Sequence, residues 1–168
     1  MLLVVDNGSI YTKQLTDFLT KKNISFEKYI PHILDLNSLE KYESIILSGR
    51  RKNDKKINEV NSKIINFSIK NDKKLLGICY GAEILALTLG GTIRKTKSIQ
   101  KGNETIKILQ DNLITNNSIN VFESHGFEIS KLPNVLIPIG KSDNCNYEII
   151  QYEKKLIFGT QFHPEMTS

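Results

Sequence analysis

Only two cysteines, Cys79 and Cys145, occur among the 168 residues. Two thiols make no disulfide framework, and no metal-ligand spacing links them to the three histidines, so no metal site is expected. Reduced thiols point to a cytoplasmic protein. The N-terminus lacks a basic stretch, and Leu2-Leu3-Val4-Val5 is far too short for a signal peptide or a membrane span. The Asn-x-Ser sequons at Asn7, Asn66 and Asn116 then carry no information. No glycine-rich phosphate loop follows a strand, which excludes a built-in ATP-using domain. Internal repeats and linkers are missing as well, so residues 1–168 are expected to form one domain, long enough to bury a core without staples.

Massed charge is also lacking. Lysine and arginine exceed the acidic residues by 23 to 18, a net charge of +5, but they are dispersed among Asp and Glu. Only Arg50-Arg51-Lys52 and Lys55-Lys56 cluster, interrupted by Asp54, and no aromatics are interleaved as a single-strand groove requires. No nucleic-acid partner is expected. The cluster reads as a solvated loop, with docking of an acidic partner protein as its functional alternative.

What is present is an alternation of apolar strands and amphipathic helices. Leu2–Val5, Ser25–Ile30, Ser44–Leu47 and Lys74–Ile78 read as strands, and Ile10–Lys22, Lys55–Lys70 and Ala82–Leu89 as helices. Asn7 or Ser9 is expected to cap the first helix. The pattern is that of an α/β fold: a three-layer, mostly parallel open sheet with helices on both faces. Beyond Gly91 it changes to short β-like pieces, Thr92–Lys95, Thr105–Leu109, Ile119–Phe122, Val135–Ile139, Tyr147–Gln151 and Leu156–Thr160, read as additional strands, many of them antiparallel. Ligands bind at the carboxyl ends of parallel strands. The turns at Asp6-Asn7-Gly8, Ser48-Gly49 and Cys79 should therefore meet at one site.

The chain is organised around Lys73–Gly91, a strand, the pentapeptide Gly77-Ile78-Cys79-Tyr80-Gly81, and a helix closed by Gly90-Gly91. A sharp strand-to-helix turn flanked by glycines is the nucleophile elbow, with Cys in place of Ser. Free N–H groups at the helix start are expected to lower the thiol pKa toward neutrality or below. A packed structural cysteine is the alternative. Near the C-terminus His163 follows a strand end and Glu165 comes two residues later, with Pro164 stiffening the turn. A cysteine nucleophile needs a base, and the base an orienting carboxylate. His163 and Glu165 could fill both roles, though alone the pair would pass for a surface turn.

GICYG and QFHPE, about 85 residues apart, resemble the two signatures of the class I (triad) glutamine amidotransferases, and Ile45–Gly49 sits where that family has its third motif. The resemblance covers essentially the whole chain. Phe122-Glu123-Ser124-His125, Glu128-Ile129 with Lys131-Leu132-Pro133, and Ser142–Cys145 are most similar to the glutaminase component of GMP synthases. Gly126-Phe127 instead resembles carbamoyl-phosphate synthetase small subunits. The resemblance implies that Cys79, His163 and Glu165 hydrolyse glutamine, with an oxyanion hole at the Tyr80 N–H and at Gly49 or Arg50. It implies substrate contacts at position 83, Ser124, Gly126 and Phe127. It implies no cofactor in this chain, since ATP and magnesium would belong to a partner, the ATP-pyrophosphatase subunit that aminates XMP. The alternatives are a stand-alone γ-glutamyl cysteine hydrolase and a weakened scaffold subunit.

Three departures stand out. The family's second oxyanion-strand glycine is Arg50 here, where strain is expected if glycine-only angles are required. Position 83 is Glu rather than Gln, which predicts weak glutamine affinity through repulsion of the α-carboxylate. The sequence also stops three residues after Glu165, where family members usually continue into another helix. His125 reads as a structural or substrate-loop residue, His32 as a surface residue and Cys145 as a packed thiol.

Overall fold

The structure is a computed structural model and describes residues 1–167. Twelve elements carry the fold: β1 (Leu2–Val5), α1 (Thr12–Lys21), β2 (Phe26–Tyr29), β3 (Ser44–Leu47), α2 (Lys55–Lys70), β4 (Lys74–Ile78), α3 (Tyr80–Thr88), β5 (Thr92–Ile108), β6 (Ile119–Lys131), β7 (Leu136–Lys141), β8 (Ile149–Tyr152) and β9 (Ile157–Thr160). Short 3-10 turns cover Leu36–Lys41 and Pro164–Met166. The strands form one nine-stranded sheet in the order β2-β1-β3-β4-β9-β8-β7-β5-β6. β2, β1, β3, β4 and β9 run parallel. The remaining four join antiparallel, which gives the α/β sheet its expected antiparallel second half.

Strand alternation decides which helix covers which face. Leu3, Val5, Ile45, Leu47 and Leu75 point to one side, where they pack with Val60, Ile64 and Ile65 of α2 and with Ile84 and Leu85 of α3. Val4 and Ile78 point to the other and meet Leu15 and Leu19 of α1. A short apolar strand can therefore be buried on both faces, as the β1 and β4 runs require. α2 begins where the Asp54 carboxylate accepts the Ile57 N–H at 3.0 Å, an N-cap that fixes its start. Among the described residues no helix is long and apolar enough to cross a membrane.

Two local expectations change. α1 starts at Thr12 without a side-chain cap, because Asn7 is used elsewhere and Ser9 Oγ accepts only the Tyr11 N–H. Thr12 Oγ instead donates to Asp6, tying the helix start to the preceding turn. In the second half, the pieces at Thr92–Lys95 and Thr105–Leu109 belong to one strand of 17 residues. β6 likewise runs on to Lys131 rather than ending at Phe122. Together they form a long hairpin with a register shift between Lys95 and Gln100 that throws Ile99 outward. The hairpin carries the Ser124–Phe127 wall across from the elbow.

Candidate active site

The elbow is strained in the way a nucleophile needs. Cys79 has φ 51 and ψ −105, a left-handed conformation rare outside glycine. It is held there by its own N–H to the Thr160 carbonyl at 2.7 Å and by its carbonyl accepting from Ala82 and Glu83. The flanking glycines are required by close approach rather than by unusual angles. A Cβ on Gly77 would lie 2.4 Å from the Gly81 carbonyl, and one on Gly81 2.4 Å from the Leu47 carbonyl oxygen. β4, α3 and β3 meet too closely at this point for any side chain.

The three turns converge as expected. The Asn7 N–H donates to Ser48 Oγ at 2.9 Å, its amide donates to the Ser48 carbonyl, and Asn61 of α2 donates to its Oδ1 at 2.7 Å. Gly8 and Arg50 form an antiparallel bridge. These bonds pin the Ser48-Gly49-Arg50 segment beside Cys79. Arg50 is not among the residues with positive φ, so the strain expected there is absent. Its guanidinium lies over the Tyr80 ring at 4.1 Å and donates to Asn53 and Asn58. The Tyr80 hydroxyl donates to Asn58 at 2.7 Å, which gives this side chain a positioning role.

His163 is buried just beyond β9, and its Nδ1 lies 2.8 Å from Glu165 Oε1. The ring stacks edge-on against Tyr11 at 4.6 Å, and the Tyr11 hydroxyl donates to Ser124 Oγ. A Cβ on Gly49 would meet His163 Cε1 at 3.1 Å, so the glycine also leaves room for the imidazole. Cys79, His163, Tyr11, Arg50 and Ser124 line one cavity of about 320 Å³. An adjoining cleft of about 440 Å³ is walled by Cys79, Tyr80, Glu83 and Ser124 to Phe127. Of the ten residues named from the sequence, eight line these two adjoining hollows, and Gly49 and Glu165 are placed through their contacts with the His163 ring.

The electrostatics correct one expectation. The Cys79 thiol is pushed well above its ordinary range, not lowered. Burial dominates, the Glu83 carboxylate adds to it, and only the Tyr80 N–H pulls the other way before Glu123 and Glu165 raise it further. Burial likewise raises the Glu83 carboxyl, opposed by a hydrogen bond from Gln161 and by the charges of Arg50 and His125. His125 sits inside the wall, its Nδ1 2.8 Å from the Phe127 carbonyl and its Nε2 3.1 Å from Glu123. Burial opposes its charge, but the Glu123 bond and charge outweigh it and hold its pKa above the usual value.

Gln161 was not singled out by sequence reasoning. Wholly buried, it directs its amide toward Cys79 Sγ at 4.0 Å and Glu83 Oε1 at 3.3 Å. Its place in QFHPE was the available signal. Cys145 is a buried thiol, as expected, and burial is the main cause that pushes its pKa far above the ordinary range. His32 is half exposed, with Nε2 3.6 Å from Asp54. Among the described residues no group of three or more His, Cys, Asp or Glu side chains could hold a metal ion.

Fold and site together define an α/β enzyme whose cysteine elbow shares a cavity with a histidine–carboxylate pair. The chain belongs to the class I glutamine amidotransferases: the model of the family Glutamine amidotransferase class-I matches residues 3–168. It is 30% identical over 172 residues to a subunit of the glutamine-hydrolyzing GMP synthase of Pyrococcus furiosus, covering 99% of this chain and 89% of that one. It is 28% identical over 169 residues to the corresponding subunit from Thermoplasma acidophilum, covering 98% and 84%. A crystal structure of a Thermoplasma acidophilum protein described as a GMP synthase subunit matches with TM-score 0.86 and 26% identity, covering 98% of this chain and 84% of that one. A glutamine amidotransferase of Thermotoga maritima has the same fold, with TM-score 0.83 at 23% identity, covering 98% and 75%.

Proposed function

We propose that the chain is a glutaminase subunit that hydrolyses glutamine to glutamate and ammonia and passes the ammonia to a separate synthetase. The observation that carries this reading is Cys79 on a strained elbow sharing one cavity with the His163–Glu165 pair. His163 takes the thiol proton and Cys79 Sγ attacks the side-chain amide carbon of glutamine. The negative oxygen that forms is held by the backbone N–H of Tyr80 and by that of Arg50 or Gly49. His163, oriented by Glu165, returns its proton to the departing ammonia, leaving a γ-glutamyl thioester. A water deprotonated by His163 then attacks the thioester, releasing glutamate and restoring the thiol. Gly126 and Phe127 offer backbone groups to the substrate's α-carboxylate, with Ser124 beside them.

The relatives named as subunits of a GMP synthase support an acceptor of one kind, a separate ATP-pyrophosphatase that aminates XMP to GMP. A GMP synthase of Lactobacillus johnsonii is 28% identical, and there the match spans 32% of the longer chain. That is the arrangement expected if the two activities are fused in one organism and divided in another. No cofactor is assigned to this chain, since ATP and magnesium would act on the partner, and the free thiols suit the cytoplasm.

The test is glutamate release from glutamine, with Cys79→Ala as control, alone and with an ATP-pyrophosphatase subunit, ATP and XMP. Cys79-dependent release that rises with the partner is expected. Release indifferent to that partner points to another acceptor or a stand-alone hydrolase, and no release in either condition overturns the reading.

A further inference from the structure

Glu83 is an unusual neighbour for a nucleophilic thiol. It occupies the first turn of α3, the helix that starts at the elbow, and is 4% exposed. The only described hydrogen bond to its carboxylate comes from the neutral amide of Gln161, whose Nε2 reaches Oε1 at 3.3 Å. Among the described residues no cationic side chain bonds to it. Arg50 is held by Asn53, Asn58 and the Tyr80 ring, and His125 is held by Glu123 and the Phe127 carbonyl. Glu83 nonetheless belongs to the cleft wall, where a ligand entering beside Cys79 would meet it.

The groups facing Cys79 are equally lopsided. Glu83 lies on α3, Glu123 on β6, and Glu165 with His163 beyond β9. Against three carboxylates stand the Tyr80 N–H, the Gln161 amide at 4.0 Å and the imidazole in the shared cavity. Gln161 Oε1 is buried and unpartnered, so the amide is committed through its nitrogen to bridging Cys79 and Glu83. A negative charge on Glu83 and a negative charge on Cys79 therefore compete for the Gln161 amide, and the Tyr80 N–H is left as the sulfur's other donor.

We propose that Glu83 is a charge lock that keeps Cys79 in its unreactive thiol form, and that an ammonium group bound against Glu83 releases it. The α-ammonium of glutamine is the natural key, a point that rests on the glutaminase reading; the lock itself does not. The site then discriminates twice: a ligand without a free ammonium fails to bind well and also fails to arm the nucleophile. Ionisation of Cys79 is coupled to occupancy, and the empty enzyme is protected from electrophiles and oxidants.

Alkylation of Cys79 by iodoacetamide, located by peptide mapping, tests this without turnover. Rates are measured from pH 6 to 10 for the wild type and for Glu83→Gln, with folding checked by circular dichroism. Removing the carboxylate charge favours the thiolate, so the variant's midpoint should fall and its rate at pH 7 should rise about tenfold or more, the change that one pKa unit brings. Glycine, which carries an ammonium but leaves the sulfur uncovered, should accelerate alkylation of the wild type. N-acetylglycine should not, and neither should affect Glu83→Gln. A folded Glu83→Gln protein with the wild-type rate and midpoint overturns the lock. Equal responses of the wild type to glycine and N-acetylglycine, or none to either, overturn release by ammonium. Failure of the glutaminase assay would leave the lock intact, since alkylation needs no substrate.

Discussion

Cys79 holds a backbone conformation that any side chain resists, at a cost of about 1–3 kcal/mol. Glycine ordinarily loses about 1 kcal/mol to alanine through its greater freedom in the unfolded chain. At position 79 the order should reverse or vanish: Cys79→Gly should unfold in urea at a midpoint no lower than Cys79→Ala. A clear advantage for alanine would mean that the elbow is unstrained. At Gly49 the constraint is different, since a Cβ would press on His163 Cε1 from 3.1 Å and on Ser9 Oγ from 3.3 Å. Gly49→Ala should shift the imidazole by a few tenths of an ångström, lowering kcat roughly tenfold with little change in Tm. Cys79, His163 and Glu165 could be named as a candidate trio because their residue types are chemically committed and sit beside glycine or proline. Gln161 could not, because an amide inside a motif announces nothing until its two neighbours are known. The thiol's ionisation was misread for a related reason. A helix start can be seen in sequence, but the burial of Cys79 and the carboxylates of Glu123 and Glu165 around it cannot.

Among the elements, the parallel strands and α2 fall where the sequence puts them, since a run such as Leu2–Val5 or Ser44–Leu47 has no use but burial on both faces. The β5–β6 hairpin does not, because its residues alternate with exposed Lys, Ser and Thr and no tight turn marks the connection. Its inner edge hides a second carboxylate feature. Glu148, just before β8, accepts from Ser142 Oγ at 2.7 Å and lies near the buried Glu123 of β6. Burial, then the Glu123 charge, pushes the Glu148 carboxyl up from 4.5 to about 9. Between those values the folded protein binds the proton that the unfolded chain has lost, so stability falls as pH rises through that window. Glu148→Gln keeps the acceptor for Ser142 and removes the proton. It should flatten the decline between pH 5 and 8 and raise Tm at pH 8 by roughly 5 °C, the equivalent of about 2 kcal/mol. Parallel Tm curves for the two proteins would show that Glu148 is not the titrating group.

For the molecule as a whole, charge and shape coincide at the mouth of the cleft. Arg51, Lys52 and Ile99 are exposed there, Phe127 is exposed across from them, and Lys55 and Lys56 follow at the start of α2. A partner that covers this opening would meet an apolar centre with a basic rim. Lys52→Glu combined with Lys56→Glu should weaken stimulation by an ATP-pyrophosphatase partner several-fold at low salt, and the difference should shrink as salt screens the rim. A stimulation unaffected by the charge reversal would place docking elsewhere.

The last strand in the sequence is not an edge strand. β9 lies between β4 and β8, and it alone joins the parallel half of the sheet to the antiparallel half. On a ribosome, β1 to β4 and the elbow emerge early, yet the slot beside β4 stays open until residues 157–160 arrive from about 80 positions downstream. Pairings of such separation are slow to form and leave an unpaired strand face waiting. The same late strand leads straight into His163 and Glu165, so a nascent chain carries its sulfur without its base. The strand that closes the gap beside β4 thus also delivers the His163–Glu165 pair to Cys79, so closing the sheet and assembling the proposed trio are one event.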